Sequence, residues 1–123
     1  MKFGTLILKK VIFIEQRDII LTSFPFSNLE GEKVRPSIII SNNDYNKKFD
    51  DILVVPLTTN LDVRDYVVLL TNRDLEKGKL LKDSKIKVDR IFSIDKKFIK
   101  LIIGRINREK FNSIKEIIYK LID

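Results

Sequence analysis

The stretch Ile52-Leu53-Val54-Val55-Pro56-Leu57 decides the fold class of this chain. It is a short apolar run, and the polar residues Thr58-Thr59-Asn60 close it, which is the composition of a buried β-strand. Similar runs occur at 19–24, 37–41, 66–70, 84–89 and 98–103. Their spacing leaves no room for helical crossovers except in the short segment 42–49. The sequence therefore predicts a mostly antiparallel, strongly bent sheet that forms a small barrel.

The last part of the chain changes from a strand period to a helix period. Asn107 is a suitable N-cap, and Ile106 and Phe111 stand at the two positions of a hydrophobic staple. Apolar residues then recur at helical spacing on one face, at Phe111, Ile114, Ile117, Ile118, Leu121 and Ile122. The predicted fold is thus mostly β within the α+β class, a small barrel of antiparallel strands with a C-terminal amphipathic helix.

The composition restricts the chemistry. The chain of 123 residues contains no histidine and no cysteine. This excludes a Ser-His pair, a Cys nucleophile and a zinc site with nitrogen or sulfur ligands. With 24 Lys and Arg against 17 Asp and Glu, the formal net charge is +7, which favours a polyanionic partner. The same excess fits codon bias in an AT-rich genome, since the chain has no alanine and is rich in Ile and Lys.

The first 16 residues precede the predicted strands. Lys9 and Lys10 divide their apolar residues and no small-residue cleavage site follows, so we expect no export signal. No run is long enough for a transmembrane helix, and a chain without cysteine is compatible with the reducing cytoplasm, which is the predicted location. Residues 1–16 are interpreted as an N-terminal extension: an extra strand or helix on the domain, or the result of a translation start placed too far upstream.

The segment Ser84-Lys85-Ile86-Lys87-Val88-Asp89 alternates polar and apolar residues. On a strand, Lys85, Lys87 and Asp89 would share one face, with Lys87 and Asp89 about 6.6 Å apart. An ammonium group and a carboxylate at this spacing can flank a reacting phosphate. The alternative is an ordinary solvated strand face.

Arg35 and Thr58 are candidates at the ends of two other apolar runs. The proline after Arg35 holds this residue in the extended region, so its guanidinium can meet a phosphate from a rigid edge; the alternative is a surface salt bridge with Glu30 or Glu32. Thr58-Thr59-Asn60 offers hydroxyls and an amide to a phosphate or a base edge, or simply ends the strand. The polar loop 25–34 is either a functional loop or a solvated hairpin connection.

Taken in chain order, these elements resemble the MazF/PemK family of toxins. The resemblance covers residue 17 to the end and rests on Arg17-Asp18-Ile19-Ile20-Leu21, Val34-Arg35-Pro36, Ile38-Ile39-Ile40-Ser41-Asn42, Val55-Pro56-Leu57-Thr58-Thr59, Lys87-Val88-Asp89 with Ser93-Ile94-Asp95, and Ile103-Gly104-Arg105. No single segment is specific, and the assignment depends on their order and intervals. It divides the chain into an N-terminal extension, 1–16, and a toxin domain, 17–123.

The resemblance implies an SH3-like barrel, usually homodimeric, that is the toxin of a type II toxin–antitoxin system. Such toxins cut single-stranded RNA at short sequences without a metal or another cofactor, and attack by the neighbouring ribose 2′-OH leaves a cyclic phosphate. A labile antitoxin with an acidic tail is the implied partner.

The resemblance also implies roles for individual residues. Arg35 matches the catalytic arginine, and Thr58 matches the hydroxyl residue after the third strand. Lys87 matches a position often held by arginine, and Asp89 matches the acidic residue proposed as the base. Contacts to RNA are expected at Glu30, Lys33, Thr59, Asn60 and Lys85.

The chain departs from the family pattern at two positions. Arg17 stands where the family usually has glycine, and Lys87 offers a point charge in place of a planar guanidinium fork. Two other classes of function stay open. One is a non-catalytic barrel that poisons a protein target, as the gyrase-directed CcdB toxins of similar fold do, and the other is a nucleic-acid-binding module without activity.

Overall fold

Eight strands form one curled sheet in the computed structural model, which describes residues 13–23, 34–60 and 64–123. In chain order the elements are β1 (Asp18–Ser23), β2 (Val34–Ile39), α1 (Asn43–Lys48), β3 (Asp51–Thr58), β4 (Val67–Leu70), β5 (Leu75–Gly78), β6 (Ser84–Lys87), β7 (Phe92–Asp95), β8 (Ile99–Ile106) and α2 (Arg108–Ile122). Short 3-10 helices at Asn72–Asp74 and Lys96–Phe98 precede β5 and β8.

The strands pair antiparallel throughout the described residues, as the sequence predicts. Their order is β4-β6-β3-β2-β1-β8-β5, and β7 pairs with the first half of β3. The described sheet curls into a half-barrel with β4 and β5 at the two ends of this path, and it confirms the predicted small, mostly antiparallel barrel fold. Strand β3 is central, since it pairs with β2 on one edge and with β7 and then β6 on the other.

Both faces of the central strands are buried. Successive residues of a strand point to opposite faces, so neighbours enter different cores. In β1, Ile19 enters the core that α2 covers, whereas Ile20 enters a second core; in β2, Ile38 and Ile39 divide in the same way. Two-sided burial explains why these strands are continuous apolar runs without alternation.

Helix α2 forms as its sequence predicts. The side chain of Asn107 caps it by accepting a hydrogen bond from the backbone N–H of Lys110 at 2.8 Å. Phe111 and Ile114 are buried against the sheet, and burial of each such side chain stabilises the fold by about 1.5–3 kcal/mol. Ile122, which was predicted on the apolar face, is 77% exposed in the last turn of the helix.

Other parts of the secondary structure differ from the prediction. Strands β5 and β7 were missed, because β5 is an exposed four-residue strand with two charged residues and β7 is equally short. The predicted strand 84–89 ends at Lys87, since Val88 and Asp89 form a turn. Helix α1 occupies the segment 42–49, but it joins the antiparallel neighbours β2 and β3 and is therefore no crossover. Residues 1–12 and the loop 25–33 lie outside the described residues.

An ion network joins the start of β1 to the end of β8. Arg105 Nε donates to Asp18 Oδ1 at 2.8 Å. Arg17 Nη1 donates to Glu76 Oε1 at 2.9 Å and to the carbonyl oxygen of Ile106 at 2.8 Å. Arg17 has a φ of 84°, in the left-handed region that glycine adopts most readily. This agrees with the glycine that the resemblance leads us to expect at this position. The hydrogen bonds of the Arg17 side chain hold an arginine there.

Within the described ranges, no helix is long and apolar enough to cross a membrane.

Candidate active site

The four predicted catalytic residues line one open cleft. Arg35 comes from β2, Thr58 from the end of β3, Lys87 from the end of β6, and Asp89 from the turn that follows β6. The cleft has a volume of about 740 Å³, and its other lining residues are Pro56, Leu57, Arg90, Ile91, Phe92 and Ser93. The fold therefore brings together side chains that lie far apart in the sequence.

A second depression adjoins the first. Its volume is about 360 Å³, and it shares Arg35, Leu57 and Thr58 with the larger cleft. Thr59 lines it as well, together with Val34, Pro36 and Ser84. Arg35 and Thr58 thus lie where the two depressions meet, and the binding surface extends to both sides of them.

Strand register explains why Arg35 and Thr58 meet. Strands β2 and β3 are antiparallel with Ser37 opposite Pro56, so continuing this register by two residues places Arg35 opposite Thr58. On the other edge of β3, Thr58 is opposite Lys85. Directly opposed residues share a sheet face, and Lys87 lies two residues beyond Lys85 on that same face. Arg35, Thr58 and Lys85 therefore form a row across β2, β3 and β6, and Lys87 lies beside this row on β6.

The hydroxyl group of Thr58 has a defined orientation. Its Oγ1 accepts a hydrogen bond from the backbone N–H of Asn60 at 3.1 Å. A hydroxyl has one donor hydrogen beside its lone pairs, so this bond leaves the O–H free to donate to a phosphate oxygen. Asn60 itself is exposed at the end of the strand. The predicted RNA contacts Glu30 and Lys33 lie outside the described residues.

Asp89 forms an ion pair that sequence reasoning missed. Its Oδ2 accepts a hydrogen bond from Nη2 of Arg64, which lies just before β4. The other oxygen, Oδ1, is buried and has no hydrogen-bond partner among the residues that the structure describes. Asp89 was predicted to share a strand face with Lys87. It lies instead in the turn after β6, and this turn places it in the cleft. The sequence holds no signal for Arg64, which is one of several charged residues between Asn60 and Tyr66.

The residues 90–93 complete one wall of the cleft. Arg90 adds a third cation, and Ile91 is 41% exposed beside it. Arg90-Ile91-Phe92 matches no motif, so the sequence gives no sign that this segment is a wall. In the described residues no group of three or more carboxylates is arranged to hold a metal ion.

The fold is known from solved structures. A MazE–MazF complex from Deinococcus radiodurans superposes with a TM-score of 0.74 at 14% identity, over 89% of this chain and 95% of that chain. An endoribonuclease from a mycobacterial species, solved with its cognate antitoxin, gives 0.69 at 18% identity over 89% and 92%. The Mycobacterium tuberculosis toxin MazF-mt6 gives 0.68 at 21% identity over 87% and 97%. No curated protein matches the sequence.

The curled antiparallel half-barrel, its C-terminal helix and the cationic cleft define a protein of the MazF-like fold class. The model of the family described as PemK-like, MazF-like toxins of type II toxin–antitoxin systems matches residues 15–122. The chain belongs to this family.

Proposed function

We propose that this toxin is a sequence-specific endoribonuclease that cuts single-stranded RNA without a metal, by attack of a ribose 2′-OH on the neighbouring phosphodiester. The observation that carries the proposal is the meeting of Arg35, Thr58, Lys87 and Asp89 in one open cleft. Membership of the toxin family and the likeness to structures named endoribonucleases support it.

The cleft supplies one group for each proton transfer. Asp89 accepts the proton of the 2′-OH, and the 2′ oxygen then attacks phosphorus. As the bond from phosphorus to the 5′ oxygen breaks, Lys87 donates a proton to that leaving oxygen. The products are a 2′,3′-cyclic phosphate and a 5′-OH end. Both side chains line the same cleft, as this sequence of transfers requires.

Arg35 and Thr58 act on the phosphate itself. Negative charge grows on its non-bridging oxygens in the transition state, and preorganised donors aimed at those oxygens lower the barrier. Arg35 is exposed at the meeting point of the two depressions, so its planar fork can reach two phosphate oxygens. The free O–H of Thr58 can donate to the same group. Since the nucleophile is the 2′-OH, DNA is not a substrate.

The proposal includes a cytoplasmic homodimer and an antitoxin with an acidic tail. The net charge of +7 favours an acidic partner, and similar toxins have been solved together with their antitoxins. Binding of such a tail weakens as salt screens the exposed charges.

Cleavage of a labelled single-stranded RNA in EDTA by purified protein tests the activity. We expect Arg35→Ala to lower the rate by about a hundredfold to a thousandfold, the usual effect of losing one transition-state donor. Arg73→Ala is the matched control, because this exposed arginine lies in the 3-10 helix before β5 and lines neither depression. Circular dichroism of each variant checks that it is folded.

A substrate with 2′-deoxyribose at the cut site should not be cleaved. Equal cleavage of that substrate, or wild-type cleavage by folded Arg35→Ala, would contradict the proposal. A non-catalytic toxin that binds a protein target would then be the better hypothesis.

A further inference from the structure

We propose that Arg64 is a positioning residue of this active site: its guanidinium holds the carboxylate of Asp89 by Oδ2 and so fixes where this base stands in the cleft. The inference rests on the proposed ribonuclease function, and it adds to the site a residue that the sequence did not single out.

Strand pairing brings the two residues together. In the register of β4 and β6, Val67 is opposite Lys87, and the backbone N–H of Val88 donates to the carbonyl oxygen of Tyr66 at 3.1 Å. This bond extends the ladder past Lys87, so the residues just before β4 lie beside the turn that carries Asp89. Tyr66 has a φ of 63°, in the left-handed region that a bulky side chain rarely adopts. The chain therefore turns sharply between Arg64 and β4.

Stability does not explain this arrangement. The side chain of Arg64 is 43% exposed, and an ion pair with so exposed a partner contributes little to the free energy of unfolding. A buried carboxylate oxygen without a hydrogen-bond partner opposes folding. Asp89 Oδ1 is such an oxygen among the described residues, and Asp89 lines the cleft. An arrangement that opposes folding at Oδ1 and stabilises little at Oδ2 is better explained by a role of Asp89 in the cleft than by a structural one.

The ion pair has two consequences for the reaction. One bonded oxygen limits rotation of the carboxylate, so Asp89 keeps a fixed orientation in the cleft. The guanidinium also offsets the repulsion between the Asp89 carboxylate and an incoming phosphodiester, which carries a negative charge of its own. Arg64 has further N–H donors in its fork, so it can hold Asp89 without giving up its interaction with water.

Steady-state kinetics on an RNA with a single cut site, in EDTA, test the role. For Arg64→Ala we expect kcat to fall by about 10- to 100-fold with KM nearly unchanged, the pattern for loss of a group that orients a catalytic residue. Arg64→Lys should recover part of kcat, because it restores the charge but not the planar fork. Arg73→Ala is the matched control and should keep both constants.

A double-mutant cycle with Asp89→Asn separates positioning from direct RNA contact. If Arg64 acts through Asp89, Arg64→Ala has no further effect in the Asp89→Asn background. A rise in KM with an unchanged kcat, or the same fold loss in both backgrounds, would show direct contact with RNA and overturn the inference. If Asp89→Asn alone cleaves like wild type while Arg35→Ala does not, the inference fails and the ribonuclease proposal stands. If the wild-type protein does not cleave RNA, both fail.

Discussion

Removal of the arginine from the buried ion pair between β1 and β8 should destabilise the fold strongly. Asp18 is 1% exposed, and the Arg105 side chain is 13% exposed. The hydrogen bond to Asp18 raises the pKa of the Arg105 guanidinium above its ordinary value, so the guanidinium is charged at any working pH. In Arg105→Met, the Asp18 carboxylate would retain the backbone N–H of Glu15, which it accepts at 2.8 Å, and lose its charged partner.

The size of the effect follows from burial. Breaking a buried pair by removing one partner costs about 3–5 kcal/mol, because an uncompensated charge is left behind. Methionine replaces much of the aliphatic stem, so little packing is lost. The longer contacts of Arg105, at 3.5 Å to Glu15 and 3.7 Å to Glu76, involve half-exposed carboxylates and add little. For a domain of this size, about 4 °C per kcal/mol gives a loss of roughly 12–20 °C in Tm.

Urea unfolding and thermal melts followed by circular dichroism measure the change. Arg73→Met, an exposed arginine in the 3-10 helix before β5, is the control and should stay within about 0.5 kcal/mol of wild type. Adding Asp18→Asn to Arg105→Met should recover part of the loss, since no buried charge then remains. A loss below about 1 kcal/mol for Arg105→Met alone would mean that water screens the pair, and the reasoning from burial would be wrong.

Two further predictions concern β5. Gly78→Ala should destabilise the protein by about 2–5 kcal/mol, because Gly78 has a φ of 83° and an added Cβ would lie 2.1 Å from the carbonyl oxygen of Ile103; a urea midpoint equal to that of wild type would contradict this. The hydrogen bond from Arg17 lowers the pKa of Glu76 below its ordinary value of 4.5. The stability that the ionised Glu76 carboxylate contributes is therefore present above pH 4.5, and it is lost as the pH falls from there through the lowered pKa. The Tm difference between wild type and Glu76→Gln should therefore shrink on acidification, and a pH-independent difference would refute the linkage.

The sequence predicted the parts of the fold that hydrophobic patterning controls. The long strand β3 and the capped helix α2 each have one dominant apolar pattern, and both were predicted nearly to the residue. Strand β5 was not, because its charged side chains leave no pattern and its pairing with β8 depends on the close approach of Gly78 to Gly104. Such a contact between distant backbones has no local signal in the sequence.

The residues of the candidate site also fall into those that the sequence predicted and those that it did not. Arg35 was found because it precedes one apolar run and Thr58 because it follows another, and strand register then places them side by side. Arg64 was missed, since its meeting with Asp89 depends on the turn at Tyr66 and on the pairing of β4 with β6. Proximity that arises from tertiary structure becomes visible only when the strands are in place.

Strand β3 holds the walls of the cleft together. Its neighbours β2, β6 and β7 carry Arg35, Lys87 and one wall of the cleft, and all three are hydrogen-bonded to this one strand. Moving any wall away from the others would break backbone bonds of a strand whose two faces are both buried, which makes such an opening as unfavourable as unfolding much of the domain. If the proposed antitoxin acts at this cleft, it must therefore fill the cleft and leave its shape intact. Release of such a partner would then leave these walls in place, with no refolding step between restraint and activity.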